Sequence, residues 1–157
     1  MTTFRSDRPM GRFYEEFEVG QKMITRGRTI TESDIVQFGA LTGDFNPMHF
    51  DADYMQGHML GQRVAHGMLT VSYAVGQAYQ LGFMEQTVLS FRAIEMKFST
   101  PVYIGDTVHV ELTVKEKKDA RRLGGGLVTL DVRIVNQKGE AVQKGEWLVL
   151  IAARGED

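Results

Sequence analysis

Two stretches in the second half of the chain alternate apolar and polar residues without interruption. Val108, Val110, Leu112 and Val114 are interleaved with Thr107, His109, Glu111 and Thr113, and Val128, Leu130, Val132 and Ile134 with Thr129, Asp131 and Arg133. A period of two places every apolar side chain on one face of an extended chain, so each stretch predicts a strand buried on one side. Ile94, Met96 and Phe98 alternate in the same way, and Glu146 to Ala152, around Trp147, supplies a last strand. Arg121–Gly126 and Asn136–Gly139 are the predicted hairpin loops.

The first half changes period. After a turn ending at Gly20 and a short strand within Gln21–Ile30, Thr31-Glu32-Ser33-Asp34 resembles a helix capping box with Asp in place of Glu. Ile35, Phe38 and Leu41 then recur at helical spacing, and Gly43 ends the helix. Asp44 to about Arg63 holds Asn46-Pro47, Gly57 and Gly61, which predicts a long loop with at most one short helix. From Gly67 to about Leu81 apolar residues lie on more than one face, as in a helix enclosed by other structure. Helices followed by antiparallel strands make the fold class α+β, and the absence of repeats or linkers makes residues 1–157 one domain.

Composition removes several functions. With 18 Lys and Arg against 20 Asp and Glu there is no field suited to nucleic acid or an anionic membrane. The lack of cysteine excludes a thiolate nucleophile, disulfides and Cys-ligated metal. The segment from Val64 to Met84 has no charged residue, but His66, Thr70, Ser72, Gln77 and Gln80 interrupt it too often for a membrane span. Met1 to Phe13 is polar and charged, unlike a secretory signal, so a cytoplasmic location is expected.

Chemistry is concentrated in Gly43-Asp44-Phe45-Asn46-Pro47-Met48-His49, where a carboxylate, an amide and an imidazole share seven residues of constrained loop. Adding water across a conjugated double bond takes a proton from water and delivers one to carbon, which needs two titratable groups at one place. Asp44 and His49 are candidates for that pair. The same letters also make a good turn, with Asp and Asn side chains bonding their own backbone. A metal site is not expected, because the helical His-x3-His spacing is missing. Ala65-His66-Gly67-Met68 stands where the loop gives way to the enclosed helix. Unpaired N–H groups at a helix start could hold a carbonyl oxygen that gains negative charge. The plainer account, in which Gly67 relieves crowding and His66 caps the helix, carries more weight on these residues alone. Ser72 lacks a nucleophile elbow, and His109 is read as a solvated strand residue.

The chain resembles the MaoC-like dehydratases, which include the (R)-specific enoyl-CoA hydratases. The hydratase signature of that family is matched by Phe38, Leu41, Thr42 and Gly43-Asp44-Phe45-Asn46-Pro47-Met48-His49. Phe13 to Gly20, Val64 to Met68 and Pro101 to Asp106 also resemble family segments in the expected order, while Met55 stands where the signature has Ala or Ser. The resemblance implies a hot-dog fold, a long helix wrapped by an antiparallel sheet, and a homodimer. It also implies that Asp44 and His49 activate water, that Asn46 helps to place it, and that the Gly67 N–H polarises a thioester carbonyl. The substrate implied is a 2-enoyl or 3-hydroxyacyl thioester of coenzyme A or an acyl carrier, with no cofactor. A thioesterase and a non-catalytic acyl-thioester-binding module are the alternatives, since one fold hosts several activities.

Overall fold

The computed structural model describes residues 11–155. The reading of Met1–Phe13 as unlike a secretory signal therefore lies mostly outside the described residues. Two short strands, β1 (Lys22–Ile24) and β2 (Arg28–Thr29), are followed by helices α1 (Glu32–Thr42), α2 (Pro47–Phe50), α3 (Ala52–Gln56) and α4 (Gly67–Gln80). Strands β3 (Val88–Phe98), β4 (Thr107–Ala120), β5 (Gly125–Asn136) and β6 (Ala141–Ala152) complete the chain. All strands join one antiparallel sheet in the order β1, β4, β5, β6, β3, with β2 pairing beside β1 on β4.

The alternating positions of β4 and β5 behave as their period requires, whereas Ile94 and Phe98, which alternate in the same way, are exposed because β3 is an edge strand. Val108, Val110, Leu112 and Val114 of β4 and Val128, Leu130, Val132 and Ile134 of β5 are buried, while their polar neighbours face outward. Leu69, Ala74 and Ala78 of α4 pack into the same core with Trp147 and Val149 of β6. A helix laid against one antiparallel sheet is the hot-dog arrangement, and the fold is α+β.

The capping box forms as read: the Thr31 side chain accepts from the Asp34 N–H, and Asp34 accepts from the Thr31 N–H at 2.8 Å. Gly43 ends α1 in the left-handed conformation with φ 78°, where a β-carbon would be strained.

Several boundaries differ from the sequence expectation, each for a tertiary reason. Gln21–Ile30 is two strands, because the Arg26 carbonyl is drawn off to accept from Gln77 Nε2 of α4 at 2.7 Å. The loop after Asp44 contains two short helices, capped by the side chains of Asn46 and Asp51. β3 begins at Val88 and β6 at Ala141, because pairing with neighbours extends strands beyond their alternating cores. Gly125 and Gly126, expected in a hairpin loop, lie in β5. A β-carbon on Gly126 would meet the Tyr14 ring at 2.2 Å, so the glycine marks close packing. α4 is enclosed on one side only, with Met68, Ser72, Gly76 and Tyr79 exposed along the other. No helix among the described residues is long and apolar enough to cross a membrane.

Candidate active site

Gly43 turns the chain out of α1, and the Asp44 carboxylate then bonds its own loop, Oδ1 accepting from the Asn46 N–H at 3.2 Å. Asn46 caps α2, its Oδ1 accepting from the Met48 N–H at 3.2 Å, and Pro47 supplies the first residue of that helix. This single turn of helix points His49 inward, where it is 7% exposed. The plain turn anticipated from the letters and the placement of Asp44 beside His49 are therefore the same structure. A second segment, running into α4, closes against it. The Val64 N–H donates to the Met48 carbonyl at 3.1 Å, and the Ala65 N–H to the Val102 carbonyl at 2.7 Å. Arg63 pairs with Glu32 and reaches the His49 carbonyl at 3.4 Å.

Hydrogen bonding decides the tautomer of neutral His49. Its Nδ1 lies 2.7 Å from the Val64 carbonyl oxygen, which can only accept, so Nδ1 carries the hydrogen and Nε2 presents a lone pair. Nε2 lies 3.9 Å from Asp44 Oδ2. Burial pushes the His49 imidazole below its ordinary pKa; stacked His66 adds to the shift, and the Val64 carbonyl and Asp44 oppose it. His49 is thus a neutral base at neutral pH.

His49 opens onto a cavity of about 470 Å³ that Gly67, Thr70, Phe98, Pro101, Val102 and Gln143 also line. Gly67 is the first residue of α4, so its N–H belongs to the group that a helix leaves without intrahelical acceptors. Crowding is real there as well: a β-carbon on Gly67 would sit 2.7 Å from the Phe98 ring. Asn46 keeps its side-chain oxygen occupied as a cap.

His66 does not cap α4 with its side chain. Its Nε2 reaches the Asp44 carbonyl at 2.9 Å, and its ring stacks on His49 with centroids 3.8 Å apart. The sequence placed His66 beside the site without a function. Phe98 and Gln143 carried no signal for the cavity, because strands far along the chain deliver them. Ser72 is exposed and donates to the Met68 carbonyl, and His109 is half-buried beside Glu111. Met55 is fully buried in the interior.

Asp44, His49 and His66 bring donor atoms within 4.8 Å of one another, close enough to ask whether they hold a cation. His49 Nδ1 and His66 Nε2 are committed to carbonyls, and His66 Nδ1 is buried. The Asp44 carboxylate and His49 Nε2 remain, fewer than the three or four protein ligands of a zinc site. The arrangement suits proton transfer better than metal binding.

The family described as MaoC like domain matches residues 16–136. The chain belongs to this family. It is 34% identical over 152 residues to an (R)-specific enoyl-CoA hydratase of Rhodospirillum rubrum, covering 91% of this chain and 94% of that protein. It is 31% identical over 139 residues to protein MaoC of Klebsiella aerogenes, covering 88% of this chain but 38% of that longer protein. The unliganded R-hydratase PhaJ1 of Pseudomonas aeruginosa superposes with a TM-score of 0.76 at 33% identity, covering 90% of this chain and 86% of that one.

Proposed function

We propose that this MaoC-like protein, as one domain over residues 1–157, is a carbon–oxygen lyase that hydrates 2-enoyl thioesters and dehydrates 3-hydroxyacyl thioesters. The observation that carries the reading is the pair of proton acceptors His49 Nε2, which lines the cavity, and Asp44 Oδ2, held 3.9 Å apart. That separation is too long for a direct hydrogen bond and short enough for one water to donate a hydrogen to each. Such a water keeps a lone pair free for the β-carbon of a bound enoyl group.

In addition, the new C–O bond forms at the β-carbon while a water O–H bond breaks and the pair takes the proton. The π electrons move toward the thioester oxygen, and the pair returns a proton to the α-carbon. The N–H of Gly67, at the start of α4 and in the cavity lining, is proposed to receive the negative charge on that oxygen, a contact that strengthens as the transition state forms. Asn46, with its oxygen occupied, has its NH2 group left to help place the water. The same barrier is lowered in both directions, so the enzyme serves dehydration equally.

The substrate is proposed to be a coenzyme A thioester, as the name of the R. rubrum relative states for that protein. A homodimer in the cytoplasm completes the proposal. The exposed flank of α4 and the apolar residues Leu89, Ile94 and Phe98 of edge strand β3 are surfaces that a second copy would cover. The test is a panel of enoyl-CoA and enoyl carrier-protein thioesters, followed by loss of conjugated absorbance and, in parallel, by release of free thiol. Absorbance loss without thiol supports hydration. Thiol release from saturated thioesters without hydration would overturn it in favour of a thioesterase.

A further inference from the structure

We propose that His66 is a positioning residue whose imidazole fixes the Asp44 loop and the His49 ring relative to one another. The inference rests on the acid/base reading of that pair.

One ring touches both members. His66 is 2% exposed, and its Nε2 lies 2.9 Å from the Asp44 carbonyl oxygen. A carbonyl only accepts, so Nε2 carries the hydrogen and ties the backbone of Asp44 to the residue that precedes α4. The face of the same ring stacks on His49, with centroids 3.8 Å apart and planes 29° from parallel. Phe38 of α1 at 5.0 Å and Phe50 of α2 at 5.9 Å pack against His66 and restrict its rotation.

The remaining ring nitrogen of His66 separates its role from that of His49. Nδ1 is buried with no hydrogen-bond partner. In the neutral ring this atom is a lone pair. Protonation would create a buried N–H without an acceptor and a cation stacked on the ring that must take the proton in catalysis. His49 meets neither obstacle, since Val64 accepts from its Nδ1 and its Nε2 faces a carboxylate. The charged groups around the two rings are Asp44 on the loop and Arg63, which reaches the His49 carbonyl and pairs with Glu32 of α1. Of two stacked histidines, the structure thus gives the proton to His49 and the scaffold role to His66.

The test compares the full chain with His66→Gln, His66→Ala, Asp44→Asn and His49→Ala. Histidine nitrogen NMR on the unaltered protein should find His66 with its hydrogen on Nε2. With a four-carbon enoyl-CoA, His66→Ala should lower kcat about 10²-fold, as a displaced catalytic group does, and change KM less than about threefold. The acid limb of its kcat/KM profile should move to higher pH, because His49 loses part of the burial that lowers its pKa. His66→Gln restores an N–H at similar reach and should recover most of kcat. Hydrogen on Nδ1 of His66, an unchanged kcat and pH profile in folded His66→Ala, or no recovery in His66→Gln would each overturn the proposal. If Asp44→Asn and His49→Ala keep full turnover, the acid/base reading falls. If they lose it while His66→Ala does not, only the positioning role falls.

Discussion

Replacing Asp44 with asparagine changes one atom of the site and leaves its frame intact. Asp44 Oδ1, which accepts from the Asn46 N–H at 3.2 Å, survives as the amide oxygen, so the loop and the cap of α2 persist. The change falls at Oδ2, 3.9 Å from His49 Nε2, where an acceptor becomes an NH2 donor. That group would point a hydrogen at the His49 lone pair and could no longer accept one from water. Losing a general acid/base group costs about 10²- to 10⁴-fold in rate, or about 3 to 5 kcal/mol of barrier. Stability should change by less than about 1 kcal/mol, because the Asp44 side chain is 51% exposed and its attraction to His49 is screened. The carboxylate also holds the His49 pKa up against burial, so its loss should move the acid limb of the remaining activity to lower pH. The assay is the initial rate of absorbance loss from an enoyl-CoA across pH, with thermal melting as the control for folding. Turnover within about threefold of the unaltered enzyme, in a folded Asp44→Asn protein, would refute the assignment against the loss expected for an acid/base group.

Other outcomes follow from the same geometry. His49→Gln should abolish hydration while the protein stays folded, and measurable kcat near the original value would remove the base. Because folding lowers the His49 pKa below about 6.5, the unfolded chain binds more protons between the two values. The stability contributed by His49 is therefore complete above pH 6.5 and lost as pH falls toward the folded pKa, and denaturant titration across that window of two histidine pKa values should show it unless His49→Gln shows the same slope. Gly67→Pro removes the N–H but, like Gly67→Ala, sets a β-carbon 2.7 Å from the Phe98 ring, so kcat should fall further in the proline variant than in the alanine one, and equal kcat in the two would make that N–H no part of transition-state stabilisation. Light scattering at micromolar concentration should report twice the 17.7 kDa of one chain, and a particle of 17.7 kDa would contradict the dimer.

Local rules were enough for much of this protein. Alternation marked the buried faces of β4 and β5, the Thr31–Asp34 box and Gly43 bounded α1, and Asp44 and His49 stood out because a Pro-constrained loop brings them together within six residues. Each of these is a short-range property: a period, a cap or a turn is decided by neighbours in the chain. The rest depended on contacts between distant segments. The Arg26 carbonyl turned toward Gln77 and divided a strand, and pairing lengthened β3 and β6 beyond their patterns. The tautomer of His49 depends on the carbonyl of Val64, and the packing of Gly67 on the ring of Phe98. His66 shows the division most clearly. Its letters support a helix cap, whereas its stacking on His49 and its bond to the Asp44 backbone exist only because α4 is docked against the loop. A hydrogen bond or ring contact needs its partner within a few ångströms, and for residues tens of positions apart only the folded core sets that distance.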